Sequence, residues 1–112
     1  MTIVVNVLIP AKIAEATQTT QYTSDNVKTI IDKFTATNYS GTAATISVNL
    51  VTTAGTAGNN NLITKTKTLQ PSEVYTFPEI VGQVLNSGDF ISTIAGTATA
   101  INIRASGRQI SS

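Results

Sequence analysis

Residues 43–53 read "AATISVNLVTT", with Ile46, Val48 and Leu50 alternating against Ser47 and Asn49. Period-two alternation sends apolar side chains to one face of a strand and polar ones to the other. Val, Ile and Thr are also stiff at their first side-chain torsion, which suits a pleated surface better than a helix. Residues 97–105, "TATAINIRA", repeat the pattern, with Ala98, Ala100, Asn102 and Arg104 opposite Thr99, Ile101 and Ile103. Both segments are expected to be strands with one buried face. Further strands are predicted at 3–9, 18–23, 62–69, 73–77 and 89–95. Turn chemistry separates them: "AGTAGNNN" at 54–61, "QPSE" at 70–73, "NSGD" at 86–89, and Gly96. Strands this closely spaced leave no room for crossover helices, so the expected fold is all-β, an antiparallel sandwich forming one domain over residues 1–112.

Three segments are less direct. Residues 24–34, "SDNVKTIIDKF", could be capped as a helix by Ser24 or Asp25, with Val27, Ile30, Ile31 and Phe34 at helical spacing. The run continues into "TATN" with no glycine before Gly41, so a strand is the preferred reading. That strand sets Ile30, Asp32, Phe34 and Ala36 on one face and Ile31, Lys33 and Thr35 on the other. "FPEIVGQVL" is expected to hold one helical turn after Pro78. The opening run Ile3, Val4, Val5, Val7, Leu8 and Ile9 is almost continuously apolar. It is either a strand buried on both faces or an arm that covers a neighbouring subunit, with residues 1–17 forming that arm or an edge strand.

Composition narrows function more than fold. Only 12% of residues are charged, 41% are hydrophobic and the net charge is +1, so the chain should fold. The seven basic residues, Lys12, Lys28, Lys33, Lys65, Lys67, Arg104 and Arg108, are scattered. Nucleic acid is not an expected partner, since Lys65 and Lys67 together read as the solvated face of one strand. With no histidine and no cysteine, the Ser-His-Asp and Cys-His constellations and the usual zinc, copper and haem ligands are unavailable. No metal, cofactor or small-molecule substrate is expected. The apolar opening is too short for a membrane helix and lacks the basic start of a secretory signal, so synthesis in the cytoplasm is expected, with no membrane partner.

A carboxylate pair is the remaining catalytic option. Glu73 and Glu79 are six apart and would share a face of an unbroken strand, but Pro78 interrupts it. Glu73, Glu79 and Asp89 are therefore read as turn punctuation, and the protein as not an enzyme. "GTAG" at 55–58 lacks the Gly-Lys-Ser/Thr ending of a phosphate loop and reads as a flexible hairpin loop. "NYS" at 38–40 fits a glycosylation acceptor but reads as a turn, and Asp89 lies in no calcium-loop pattern.

The runs "TIIDKFTATNYSGTAATISVNLV", "LQPSEVYTFPEIVGQVLNSGDFIST" and "INIRASGRQIS" resemble a family of small tailed-phage virion proteins, over roughly residues 29–111. That family shows an "IIDK-x-T-x-TN" strand, a "PGE-x-Y-x-LPE-x-VG-x-VL-x-x-GD-x-I" segment and an "R-x-SGREI" ending. Here Ser72 stands for the pattern's glycine, Phe77 for its leucine and Gln109 for its glutamate. Within the family, the length and opening are most like the capsid decoration, or staple, proteins of short-tailed phages of the epsilon-fifteen kind. The resemblance implies a jelly-roll-like sandwich, with an immunoglobulin-like one as the alternative. It also implies a non-catalytic role on the outer capsid surface of the virion, bound to the major capsid protein as a homo-oligomer, a dimer. Ile3, Val4, Val5 and Val7 are the candidate partner-interface residues. The competing reading is a phage tail, adaptor or receptor- and carbohydrate-binding module, for which the chain offers no tryptophan and only six Phe and Tyr.

Overall fold

A computed structural model describes residues 1–111. Nine strands form: β1 (Thr2–Ile13), β2 (Thr19–Thr23), β3 (Lys28–Asn38), β4 (Ala44–Val51), β5 (Leu62–Leu69), β6 (Val74–Tyr75), β7 (Val84–Leu85), β8 (Phe90–Ala95) and β9 (Ile101–Ser111). They make two antiparallel sheets. One runs β1-β9-β3-β6, with β7 also paired to β3; the other runs β2-β8-β4-β5. Sequential strands switch sheets at almost every step, and only β4 and β5 are sequential neighbours that pair with each other. This interleaving, with β6 and β7 sharing one position beside β3, is a jelly roll of two Greek keys. An immunoglobulin sandwich keeps more sequential neighbours together in one sheet, so that alternative is set aside.

The core lies between the sheets. Phe34, Ile31, Ile9, Ile101 and Ile103 from the first sheet meet Ile46, Val48, Leu69 and Ile91 from the second, all essentially inaccessible to solvent. Phe77 and Ile80, from the connection between β6 and β7, close one side. The Phe34 and Phe77 rings pack edge-on with centroids 4.7 Å apart, a favoured geometry for their quadrupoles.

Several local expectations change. Residues 24–34 divide into a turn and the start of β3, confirming the strand reading, but the predicted faces do not hold. A bulge between Ile31 and Lys33 resets the alternation, so Ile31 and Phe34 both point inward. Strand β4 is covered on both faces rather than one. Asn49 donates to Gly58 O (3.0 Å) and Asn61 Oδ1 (2.7 Å), and Ser47 Oγ accepts from Thr66 N (2.8 Å). The 54–61 loop, read as flexible, is thus folded back over β4 and includes a short 3-10 turn at Asn59–Asn61. Residues 97–100 lie outside β9, which starts at Ile101 and runs on to Ser111. The 73–77 segment contributes only Val74–Tyr75, while the one helical turn expected after Pro78 is present, closed by Val81 N donating to Phe77 O (3.1 Å).

Candidate functional site

The opening run is a strand, but not one buried on both faces. Thr2 to Val7 pair in unbroken register with Ser111 to Ser106 of β9, and β9 pairs in turn with β3. Leu8 and Ile9 reach the core, whereas Ile3, Val4, Val5 and Val7 are 54%, 47%, 80% and 40% exposed. The sheet therefore continues past the point where the opposite sheet ends, and the molecule is elongated, 46 × 26 × 20 Å.

A chain of hydrogen bonds marks where the core stops. The Ser24 and Thr29 hydroxyls are 2.7 Å apart, and Thr29 Oγ1 lies 2.8 Å from the Tyr22 hydroxyl. Gln109 Nε2 donates to that Tyr22 hydroxyl (2.8 Å), and Gln109 Oε1 accepts from Asn6 Nδ2 (3.1 Å). Polar side chains drawn from β1, β2, β3 and β9 thus satisfy one another under the ribbon. Beyond them, among the described residues, no second layer covers the apolar side chains.

Strand alternation sorts the ribbon into two faces. Val4 is paired with Gln109 and faces inward with it; Ile3, Val5 and Val7 face outward. Directly opposed residues share a face, so the outward row through Val5 continues across Arg108 and Ile30 to Val84 of β7. Ile3 continues to Ile110. The result is a face that carries Ile3, Val5, Val7, Ile30, Val84 and Ile110 with three cations among them: Arg108, and Lys28 and Lys33, which the same pairing sets opposite Ile110 and Ser106. Arg108 is held by Asp32, Nη2 to Oδ1 at 2.9 Å and Nε to Oδ2 at 3.0 Å, and this hydrogen bonding raises the Arg108 pKa further. The bulge in β3 is what brings the Asp32 carboxylate alongside it. Between the ribbon tip and the turns at Asn26 and Ser87 lies an apolar cleft of about 540 Å³.

All four candidate interface residues are brought onto this one ribbon. Sequence reasoning missed Ile30, Val84, Ile110 and the Asp32–Arg108 pair. The last two stand 76 positions apart and meet only through the β3–β9 pairing. Their signal was the "IIDK" and "SGRQI" fragments, read there as marks of kinship only.

The carboxylates sit elsewhere and are engaged in holding turns. Glu73 Oε1 accepts from Gln70 N (2.7 Å), and Asp89 accepts from Thr53 N (3.0 Å) and Asn86 N (2.9 Å). Glu79 lies in the single helical turn that follows Pro78. It accepts from the Thr64 hydroxyl and from Tyr75 Oη (2.6 Å), tying β5 to the β6–β7 connection. Burial works against its charged form, but the two hydrogen bonds outweigh it and hold the carboxyl below its ordinary range. The same hydrogen bond, with burial, pushes Tyr75 up to about 12. Among the described residues no three His, Cys, Asp or Glu side chains gather as a metal site.

Two other expectations meet the geometry. Asn38 of "NYS" is the last residue of β3 and fully buried, and its amide donates to Thr42 O (2.8 Å) and Leu69 O (2.9 Å), holding the turn that follows. Lys65 and Lys67 do not share a face. A register shift in β5 turns Lys67 onto the Tyr75 ring, 4.8 Å from its centroid, while Lys65 lines a shallow cleft with Ser47 and Asn49. No family model, no curated protein and no solved structure matches this chain.

Proposed function

We propose that this protein is a non-enzymatic structural component of a phage virion that binds the major capsid protein on the outer surface of the shell and stabilises it. The observation that carries the reading is the outward face of the ribbon, where Ile3, Val5 and Val7 stand exposed beside Ile30, Val84 and Ile110. A cluster of exposed apolar side chains marks an interaction site, because apolar surface left in water forgoes about 25 cal/mol per Å² available on burial. The resemblance of residues 29–111 to small virion proteins supports the setting. Binding of many copies to a repeating lattice also makes a modest contact sufficient, through avidity. Three of the six Phe and Tyr side chains, Phe34, Phe77 and Tyr75, are committed to packing with one another, which disfavours sugar stacking and hence the carbohydrate-binding alternative.

Co-sedimentation with purified phage shells, before and after expansion, tests this. The expected result is saturable binding to the expanded lattice, reduced at least tenfold by the double substitution Ile3→Ser, Val5→Ser. Absence of binding to either shell form would overturn the proposal, as would equal binding by the double variant for the placement of the interface.

A further inference from the structure

Scattered along the sequence, the basic residues are gathered by strand pairing. On β9 the outward positions are Arg104, Ser106, Arg108 and Ile110, alternating with buried Ile103, Ala105 and Gly107. The register with β3 sets Thr35, Lys33, Ile30 and Lys28 beside them, in that order. Each of four successive outward levels therefore carries one cation, supplied in turn by β9, β3, β9 and β3. Levels two residues apart along a strand lie about 7 Å apart, so the row spans about 20 Å. Beside it on β1, Val7, Val5 and Ile3 stand opposite Ser106, Arg108 and Ile110 and form a parallel aliphatic row. Four of the seven basic residues thus share this face with one carboxylate, Asp32, which Arg108 engages. The remainder of the chain holds three cations and five carboxylates, the opposite surplus. Among the described residues, Lys28, Lys33 and Arg104 make no ion pair of the kind that joins Lys12 to Glu15. Glu73, Glu79 and Asp89 hold turns, and Asp25 lies between β2 and β3.

We infer that this face docks on an acidic protein surface, one that sets a row of carboxylates beside a row of aliphatic side chains. The inference rests on the proposed function for the choice of face and adds the chemistry its partner must present. Charges around an interface steer encounter and repel wrong partners more than they add affinity, so four cations against one carboxylate select a negatively charged surface. The aliphatic row supplies the burial that holds the complex once formed. Asp32 occupies Nε and Nη2 of Arg108 and leaves Nη1 unengaged among the described residues, so even the paired guanidinium has a donor to offer. A phosphate backbone would also match the cations, but it would set charge against the valines and isoleucine of β1. Neither row contains an aromatic ring to stack a base, nor a Trp or Tyr to anchor the face at a bilayer surface.

The test uses the full chain and a soluble peptide of Glu-Val repeats, with no shells present. In a nuclear magnetic resonance titration at about 50 mM NaCl, the peptide should shift backbone amides of β3 and β9 around Lys33 and Arg104. Raising the salt to about 500 mM shortens the reach of these charges to a few ångströms and should weaken binding at least fivefold. The double substitution Lys33→Glu, Arg104→Glu, at exposed positions, should weaken it at least tenfold with an unchanged circular dichroism spectrum. Lys65→Glu, on the other sheet, should leave it within twofold. Binding that ignores salt or the double substitution, shifts confined to another face, or no shift at millimolar peptide overturns the inference. Tighter binding of oligothymidylate or of anionic lipid vesicles than of the peptide overturns it too. A protein that binds the peptide yet ignores shells keeps the acidic partner and loses the proposed function; salt-independent co-sedimentation with shells, without peptide binding, does the reverse.

Discussion

The two halves of β1 carry much the same composition and live in different environments. Ile9 is fully buried and Leu8 nearly so, while Val5, four residues earlier, is 80% exposed. Nothing in side-chain chemistry separates a valine from an isoleucine by that margin. The difference is whether a second sheet lies opposite, and that is decided by where β2, β3 and β9 place their Tyr22, Thr29 and Gln109 side chains. Hydrophobic character reports that a residue gains from burial; topology decides whether the chain itself supplies the cover.

If that contrast is right, equal chemical insults should cost folding in the body and almost nothing in the ribbon. The largest effect is expected from Phe34→Ala, which empties the centre of the core and should cost about 3–5 kcal/mol in urea denaturation. Next is Gly107→Ala, at the base of the ribbon. An added Cβ there would lie 2.2 Å from Ile30 O and 3.0 Å from Leu8 Cδ1, forcing β9 away from β3 at a cost of about 1–3 kcal/mol. A loss well under that range would mean the ribbon base is more pliant than its pairing implies.

Glu79→Gln should have a smaller effect, about 1 kcal/mol at neutral pH, through weaker hydrogen bonds from Thr64 and Tyr75. The folded-state pKa of Glu79 lies below the ordinary 4.5, so the unfolded chain takes up this proton first as pH falls. Its stabilisation is complete above that ordinary value and disappears as pH drops through the depressed one. The stability gap between wild type and Glu79→Gln should therefore close under acid, and a gap constant with pH would exclude a charge-dependent role. Smallest is Val5→Ser, expected within about 0.5 kcal/mol of wild type because the side chain is already in water. A loss above 1 kcal/mol would show that the ribbon is packed against its own chain.

The sequence made the strands and the sandwich legible because those follow from period-two patterning and turn residues. It was less informative wherever a bulge intervened. Ile31 and Phe34 cannot both face inward in an unbroken strand, and Lys65 and Lys67 cannot part company in one; local slips in pairing, not composition, set both outcomes. The candidate site was half readable. Its β1 residues stand together in the chain, whereas Ile30, Val84 and Ile110 join them only through pairings across distant segments. Asn49, on the face opposite Ile46 and Val48, was covered by a loop whose own sequence is rich in turn formers and gave no hint of where it would fold.

The register that sets Thr2 against Ser111 also fixes how the molecule bears force. Tension pulling those two residues apart loads the β1–β9 ladder one rung at a time, so the ribbon unzips at low force from its tip. Tension entering through the outward face of the ribbon and leaving through the body instead runs along the strands and strains many rungs at once, the stiffer direction.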